Sequence, residues 1–279
     1  MARNRNDQRP STGRAEAREA ARLEAERLKA EREAKARRRR TVTIASIVGG
    51  VVVTVGLALA VYFTIPRDSL DTVEVQPAGS QTNGGILLGR DGTAGGEAPS
   101  SGDAVTVEIY SDYMCPYCGM LEKGIAKRLA ELRESGEVRV ILHPVAFLEG
   151  YSNDTQYSTR SLNHAATVAR DEPDKFLAFH EALFDNQPDE NTEGLTDAEM
   201  VEIALEAGVS DEVTALFAEM EMADWVSAVT NQAQADGIPG TPRVFLQAPG
   251  GKRVAWDTWS GGDIKGAVAK VKAGEDPNT

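Results

Sequence analysis

The chain has 279 residues, 41% of them hydrophobic, which is enough for one sizeable core or two small ones; 43 acidic against 30 basic residues leave a formal charge of −13. That charge is uneven: residues 1–40 hold 14 Lys and Arg against 7 Asp and Glu, a net of +7, so the remainder stands at −20. An acidic body repels nucleic-acid phosphates and the basic end adjoins an apolar stretch, so nucleic acid is discounted as a partner.

Ala15–Arg40 is rich in Ala, Glu and Arg and favours a helix with i,i+4 pairs such as Glu31 with Lys35. Leu23 and Leu28 alone make no heptads, so this is read as a solvated helix near anionic headgroups rather than a coiled coil. Thr41–Ile65 then runs 25 residues without a charge. At about 1.5 Å per residue it spans roughly 37 Å, more than the ~30 Å apolar core of a bilayer, and predicts a single transmembrane helix. Arg37–Arg40 precede it, whereas Arg67, Asp68 and Asp71 follow, which places the N-terminus in the cytoplasm and the body outside. Ala58-Leu59-Ala60 resembles a signal-peptidase site, but the apolar run is about twice the usual length, which favours an uncleaved anchor.

Residues 66–103 are rich in Gly, Ser, Thr, Pro and Asp; 66–83 are expected as a flexible linker and 84–273 as one domain, with 274–279 as a tail. Ile86-Leu87-Leu88 is a candidate edge strand. Val105, Val107 and Ile109 alternate with polar residues as a strand does, and Ser111-Asp112 lead into Cys115. Leu121, Ile125, Leu129 and Leu132 recur at helical spacing and Val138–Phe147 reads as a buried strand, giving a βαβ unit. A helical insertion follows at about 155–236. It has Phe176, Phe179, Leu183 and Phe184 on one face, a capping box at Thr196 and Glu199, and a stop at Gly208. Ser210 caps a helix carrying Val213, Leu216, Phe217 and Met220, and Trp225, Val226 and Val229 belong to one that Gly237 ends. These aromatics and methionines are read as core. Val244–Leu246 and Val254–Trp256 flank a turn at Pro249-Gly250-Gly251 as a hairpin, before a last helix from about Gly262 to Ala273.

The only two cysteines stand as Cys115-Pro116-Tyr117-Cys118 where a strand meets a helix. A thiol at a helix N-terminus feels the positive end of the dipole and unpaired N–H groups, which stabilise its thiolate; Cys115 is the candidate nucleophile. Cys118 lies next to the inward-facing series and is the candidate resolving thiol. Pro116 at the first turn removes no needed donor and, with Tyr117, starts the helix. A structural disulfide closing so short a loop would remove little unfolded-state entropy. A zinc site has only His143, His164 and His180 to add to the thiols, none at finger spacing, so no metal is expected.

The Cys115-Pro116-Tyr117-Cys118 turn after strand 108–112, the helical block, and Gly240-Thr241-Pro242 before a strand resemble the DsbA-like branch of the thioredoxin superfamily, over roughly residues 84–273. A basic cytoplasmic tail with a single anchor is similar to exported members in high-GC Gram-positive bacteria. The resemblance implies an α/β thioredoxin fold with an inserted helical domain, no bound cofactor, and thiol–disulfide exchange with cysteine-containing exported proteins. It also implies a membrane redox partner and a cis-proline loop at Thr241-Pro242, where the Thr241 backbone pairs with an extended substrate. Pro239, the rival X–Pro position, is read as a turn residue. Family members often carry an acid six positions before the nucleophile; here that place is Ile109, with Glu108 on the other strand face, and proton handling at Cys118 is left unassigned. Pro-Tyr between the cysteines resembles glutaredoxins, where the family commonly has Pro-His. Oxidation of substrates is the preferred direction because exported disulfides persist. A reductase or isomerase of the same fold, or a tethered non-catalytic chaperone or binding protein, is the alternative.

Overall fold

The computed structural model describes residues 69–257 and 262–279, together with residues 27, 29, 32, 35, 49–51 and 53–56. The chain divides into two compact units, Met1–Pro66 and Arg67–Thr279. In the first, the described positions are helical and exposed. The basic tail 1–40 and the expected span Thr41–Ile65 lie otherwise outside the described residues, and among the described residues no helix is long and apolar enough to cross a membrane.

The second unit is built on a five-stranded sheet in the order β1-β3-β2-β4-β5, with β1 at Ile86–Leu87, β2 at Val105–Ser111, β3 at Val138–Pro144, β4 at Arg243–Gln247 and β5 at Arg253–Trp256. The central strand β2 runs parallel to β3, pairing Val107 with Val140 and Ile109 with Leu142, and antiparallel to β4, pairing Val107 with Leu246. A parallel pair needs a crossover, and helix α1 (Pro116–Ser135) supplies it. The helix opens at Cys115, whose backbone is still extended, with Pro116 in the first turn. It stops at Gly136, which takes the left-handed conformation (φ 80°) that suits a residue without Cβ. Its buried stripe, Leu121, Ile125, Leu129 and Leu132, covers the sheet face formed by Val105, Val107, Ile109, Val138 and Val140. The last helix, α7 (Ile264–Lys272), packs beside α1 and against β2 and β4.

Between β3 and β4 lie α2 (Tyr157–Asp171), α3 (Phe176–Asp185), α4 (Asp197–Glu206), α5 (Asp211–Thr214) and α6 (Ala223–Ala235). Phe176, Phe179, Phe184, Met200, Phe217 and Trp225 are buried and join the main core, which is what fixes the insertion against the sheet. At the start of α4 the Thr196 side chain accepts from Glu199 N–H while the Glu199 carboxylate accepts from Thr196 N–H, a complete capping box. The Ser210 cap also forms, but the helix it starts gives way after Thr214 to a 3₁₀ turn, Ala215–Glu219, that ends at left-handed Met220 (φ 51°). On the other sheet face Tyr110 and Val145 pack with Ala233 and Ile238, and Glu108 pairs with Arg253.

The segment expected as linker, 66–83, is anchored at two places: Leu70 is buried, residues 71–76 are mostly exposed, and from Pro77, which is buried, the chain is tied down, Ala78 N–H donating to Ala169 O at 3.3 Å and Ser80 bridging to Ile86. Its one glycine, Gly79, serves close approach rather than slack. A Cβ on Gly79 (φ 77°) would sit 2.5 Å from Gly95 N, so the two backbones touch only because neither residue has a side chain.

Candidate active site

Cys115 and Cys118 occupy the N-cap and third position of α1 as free thiols. Cys118 N–H donates to Cys115 O at 2.9 Å, the first turn of the helix bringing the thiols together. Exposure does not separate them, at 3% and 2% of their surfaces. Protonation does. Hydrogen bonding from the Cys118 thiol, ahead of any other influence, lowers the Cys115 thiol to about 7 against the opposing effect of burial, and hydrogen bonding with Thr241 adds to it. Burial, and then the bond it donates to Cys115, push Cys118 well up. One thiol is thus half ionised near neutrality while its neighbour keeps its proton, the division of labour that exchange chemistry needs.

Two side chains that the sequence reading did not single out hold this turn. Asp112, wholly buried at the end of β2, accepts through Oδ1 from Met114 N–H (2.8 Å) and the Ser158 hydroxyl (2.7 Å), and through Oδ2 from Leu148 N–H (2.8 Å). One carboxylate so ties the cysteine turn, the loop after β3 and the start of α2. Burial pushes its pKa up to about 6 despite those three donors. It stands three residues before Cys115, whereas Ile109, where family members often carry an acid, is an apolar core residue. Gln187, just past α3, donates through Nε2 to both Tyr113 O and Cys115 O at 2.9 Å. Its Oε1 lies against Gly119, where a Cβ would stand 2.3 Å away. Asp112 has a legible signal, a charged residue ending an apolar strand. Gln187 has none, being 72 residues from Cys115 and placed only by tertiary packing.

The Thr241–Pro242 peptide bond is cis, and Thr241 O accepts from the Cys115 thiol at 3.4 Å. Thr241 is therefore at the dithiol, with Pro242 next to it at the entry to β4. A groove opens there, lined by Cys115, Tyr117, Phe147, Leu148, Tyr151, Pro239 and Thr241 among others. Tyr117 is half exposed. The three histidines are elsewhere: His143 stacks on Tyr110, His164 on Phe217, and His180 bonds Tyr113 Oη at 2.8 Å. Burial lowers all three pKa values. Among the described residues no group of three or more His, Cys, Asp or Glu could hold a metal ion.

A strand, a two-cysteine turn at a helix start, and a cis-proline loop against the nucleophile define a dithiol protein of thioredoxin fold, here with helices α2–α6 set between β3 and β4. Comparison with known proteins agrees. The thioredoxin family model matches residues 100–260. The chain is 31% identical over 156 residues to the serine/threonine-protein kinase PknE of Mycobacterium tuberculosis, covering 52% of this chain and 27% of that one. It is 30% identical over 127 residues to disulfide bond formation protein D of Bacillus subtilis, covering 45% and 49%. The crystal structure of reduced DsbA from Mycobacterium tuberculosis superposes with a TM-score of 0.51 at 28% identity, over 62% of this chain and 86% of that one. The chain belongs to the thioredoxin family, and over this region it is similar to DsbA-like thiol–disulfide oxidoreductases. It spans about a quarter of the length of the first of these curated relatives and half of the second.

Proposed function

We propose that this protein oxidises cysteines of exported proteins through Cys115 and Cys118, held at the outer face of the membrane by the charge-free stretch 41–65. The observation that carries the exchange reading is the split between the two thiols, Cys115 lowered to about 7 and Cys118 raised. In the oxidising direction a substrate thiolate attacks Sγ of Cys115 in the disulfide form, the Cys115–Cys118 bond breaks, and Cys118 leaves and takes a proton. A second substrate thiolate then attacks the substrate sulfur of the mixed disulfide, and Cys115 leaves as the thiolate its surroundings favour. The substrate loses two electrons and the Cys115–Cys118 disulfide gains them, becoming the dithiol that passes them on to an electron acceptor in the membrane. Thr241, beside Cys115, offers its backbone to an extended substrate segment. The basic tail and the uncharged stretch support an N-terminus in the cytoplasm and a body outside.

The test is the redox state of the pair in growing cells, trapped by acid and alkylation, alongside refolding of a reduced disulfide-containing protein. A predominantly disulfide enzyme that speeds refolding supports oxidation. A dithiol enzyme that fails to do so makes it a reductase or isomerase, a reading favoured by the lack of a charged residue between the cysteines. Cys118→Ala should accumulate mixed disulfides, and its failure to do so would leave only a non-catalytic binding role. Protease added outside a sealed membrane should remove residues 84–273 and spare the tail.

A further inference from the structure

The groove at Cys115 has a chemical character that thiol exchange does not require. Among its lining residues a single one is charged, Glu190. No ion pair or hydrogen bond engages the Glu190 carboxylate among the described residues, and it is only partly exposed. Asn191 N–H donates to Tyr151 O at 2.9 Å, and Asn153 Nδ2 donates to Asn191 O at 3.1 Å, so the strand of chain bearing Glu190 is stitched to the loop bearing Tyr151. Tyr151 and Tyr117 both line this groove and present about half of their surface to solvent, at 48% and 47%. A carboxylate with no ion-pair partner among the described residues, sharing its groove with two half-exposed tyrosines, is the chemistry that receives a guanidinium or an ammonium group. The remaining groove walls, Phe147, Leu148, Ile238 and Pro239, suit the aliphatic stem of such a side chain.

We infer that the groove selects cysteine-containing segments with an arginine or lysine close to the reacting cysteine, and that Glu190 determines this preference. The inference rests on the exchange reading above and names its substrate class. Because the acidic body attracts any basic peptide, the preference has to be separated from net charge. The experiment uses the full chain in its disulfide form and three single-cysteine peptides differing only beside the cysteine, with Arg, Gln or Glu, and measures the second-order rate of thiol exchange. The Arg peptide should react about five-fold faster than the Gln peptide at low salt, the size of one partly exposed ion pair with an aromatic neighbour, and the gap should narrow as salt rises. Glu190→Gln should remove most of that ratio and Glu190→Lys should invert it in favour of the Glu peptide. Glu206→Gln, which makes the same change in net charge on exposed α4, should leave the ratio as it is. Equal rates for the Arg and Gln peptides, or a ratio lowered as much by Glu206→Gln as by Glu190→Gln, overturns the inference. In either case steady exchange with all three peptides keeps the exchange reading intact, whereas no exchange with any of them overturns both.

Discussion

The sheet half of the molecule and its helical insertion contribute to the site in different ways. The sheet half supplies the reacting atoms: β2 delivers the cysteine turn, α1 receives it, and the approach to β4 sets Thr241 against Cys115. The insertion supplies what keeps those atoms in place, Ser158 on α2 bonding Asp112 and Gln187 after α3 bonding the Cys115 carbonyl. A local motif can therefore carry chemistry while its geometry depends on partners dozens of residues away. The insertion is more than a lid on the sheet.

The largest effect tests whether reactivity resides in the sheet half. Cys115→Ser should reduce exchange on the order of a thousandfold or more while shifting stability by no more than about 1 kcal/mol, since a hydroxyl replaces a thiol of similar size. Exchange assays and urea unfolding of the same preparation check it. Retained exchange would break the division between the halves.

Next in size are two opposite pH dependences, one from each half. Asp112 is raised from 3.8 to about 6 in the fold, so its contribution to stability is fully present below about pH 4 and is lost as pH rises through 6, about 3 kcal/mol in all. His180, on α3, is lowered from 6.5 to about 4, so its contribution is present above pH 6.5 and is lost, by about 3 kcal/mol, as pH falls through 4. Urea unfolding at pH 4 to 8 should show Asp112→Asn gaining on the wild type as pH rises and His180→Phe gaining as it falls. Parallel curves for either variant would mean that burial does not govern that group.

Gly119→Ala probes the join between the halves. Alanine normally favours a helix over glycine by about 1 kcal/mol, but here its methyl would meet Gln187 Oε1 at 2.3 Å and displace that side chain from Tyr113 O and Cys115 O, two hydrogen bonds worth about 1–3 kcal/mol together. The variant should be destabilised and its Cys115 alkylated more slowly. Removing the obstacle with Gln187→Ala should restore part of the loss, so that the two changes are non-additive by about 1 kcal/mol. A Gly119→Ala protein as stable and reactive as the wild type would show that Gln187 does not clamp the turn. The smallest expected effect lies wholly inside the insertion. Thr196→Ala removes the capping box of α4 and should cost about 1 kcal/mol by urea unfolding without changing the exchange rate.

What could be read from the sequence follows the same division. Strand alternation at Val105–Ile109, the helical stripe Leu121–Leu132 and the Cys115-Pro116-Tyr117-Cys118 turn are local patterns, which made the βαβ unit legible, while the thioredoxin-like architecture was implied by the family resemblance. Helix caps at Thr196 and Ser210 were legible for the same reason, since a cap is decided within four residues. The anchoring of Leu70 and of 77–83 was not, because a small and polar composition looks the same whether its residues give freedom or, as Gly79 does, permit contact. Nor was the chief reason for the low Cys115 pKa. The sequence pointed to the helix start, whose Cys118 N–H does lower it, but the larger effect of the Cys118 thiol was not visible. Asp112 was visible as a residue but not as a hub, since its three donors come from Met114, Leu148 and Ser158.

The hydrogen bond from the Cys115 thiol to Thr241 O exists only while that sulfur carries a proton. In the disulfide form the sulfur has no hydrogen to donate, and under the proposed function the carbonyl would then be free to accept from a backbone N–H of an incoming segment. Once the pair is reduced and protonated, thiol and segment compete for the same oxygen. Under the proposed oxidation, reduction would return that internal occupant to the acceptor proposed for the substrate only as Cys115 takes up a proton, so that release of product would be tied to protonation of one sulfur rather than to any movement of the chain.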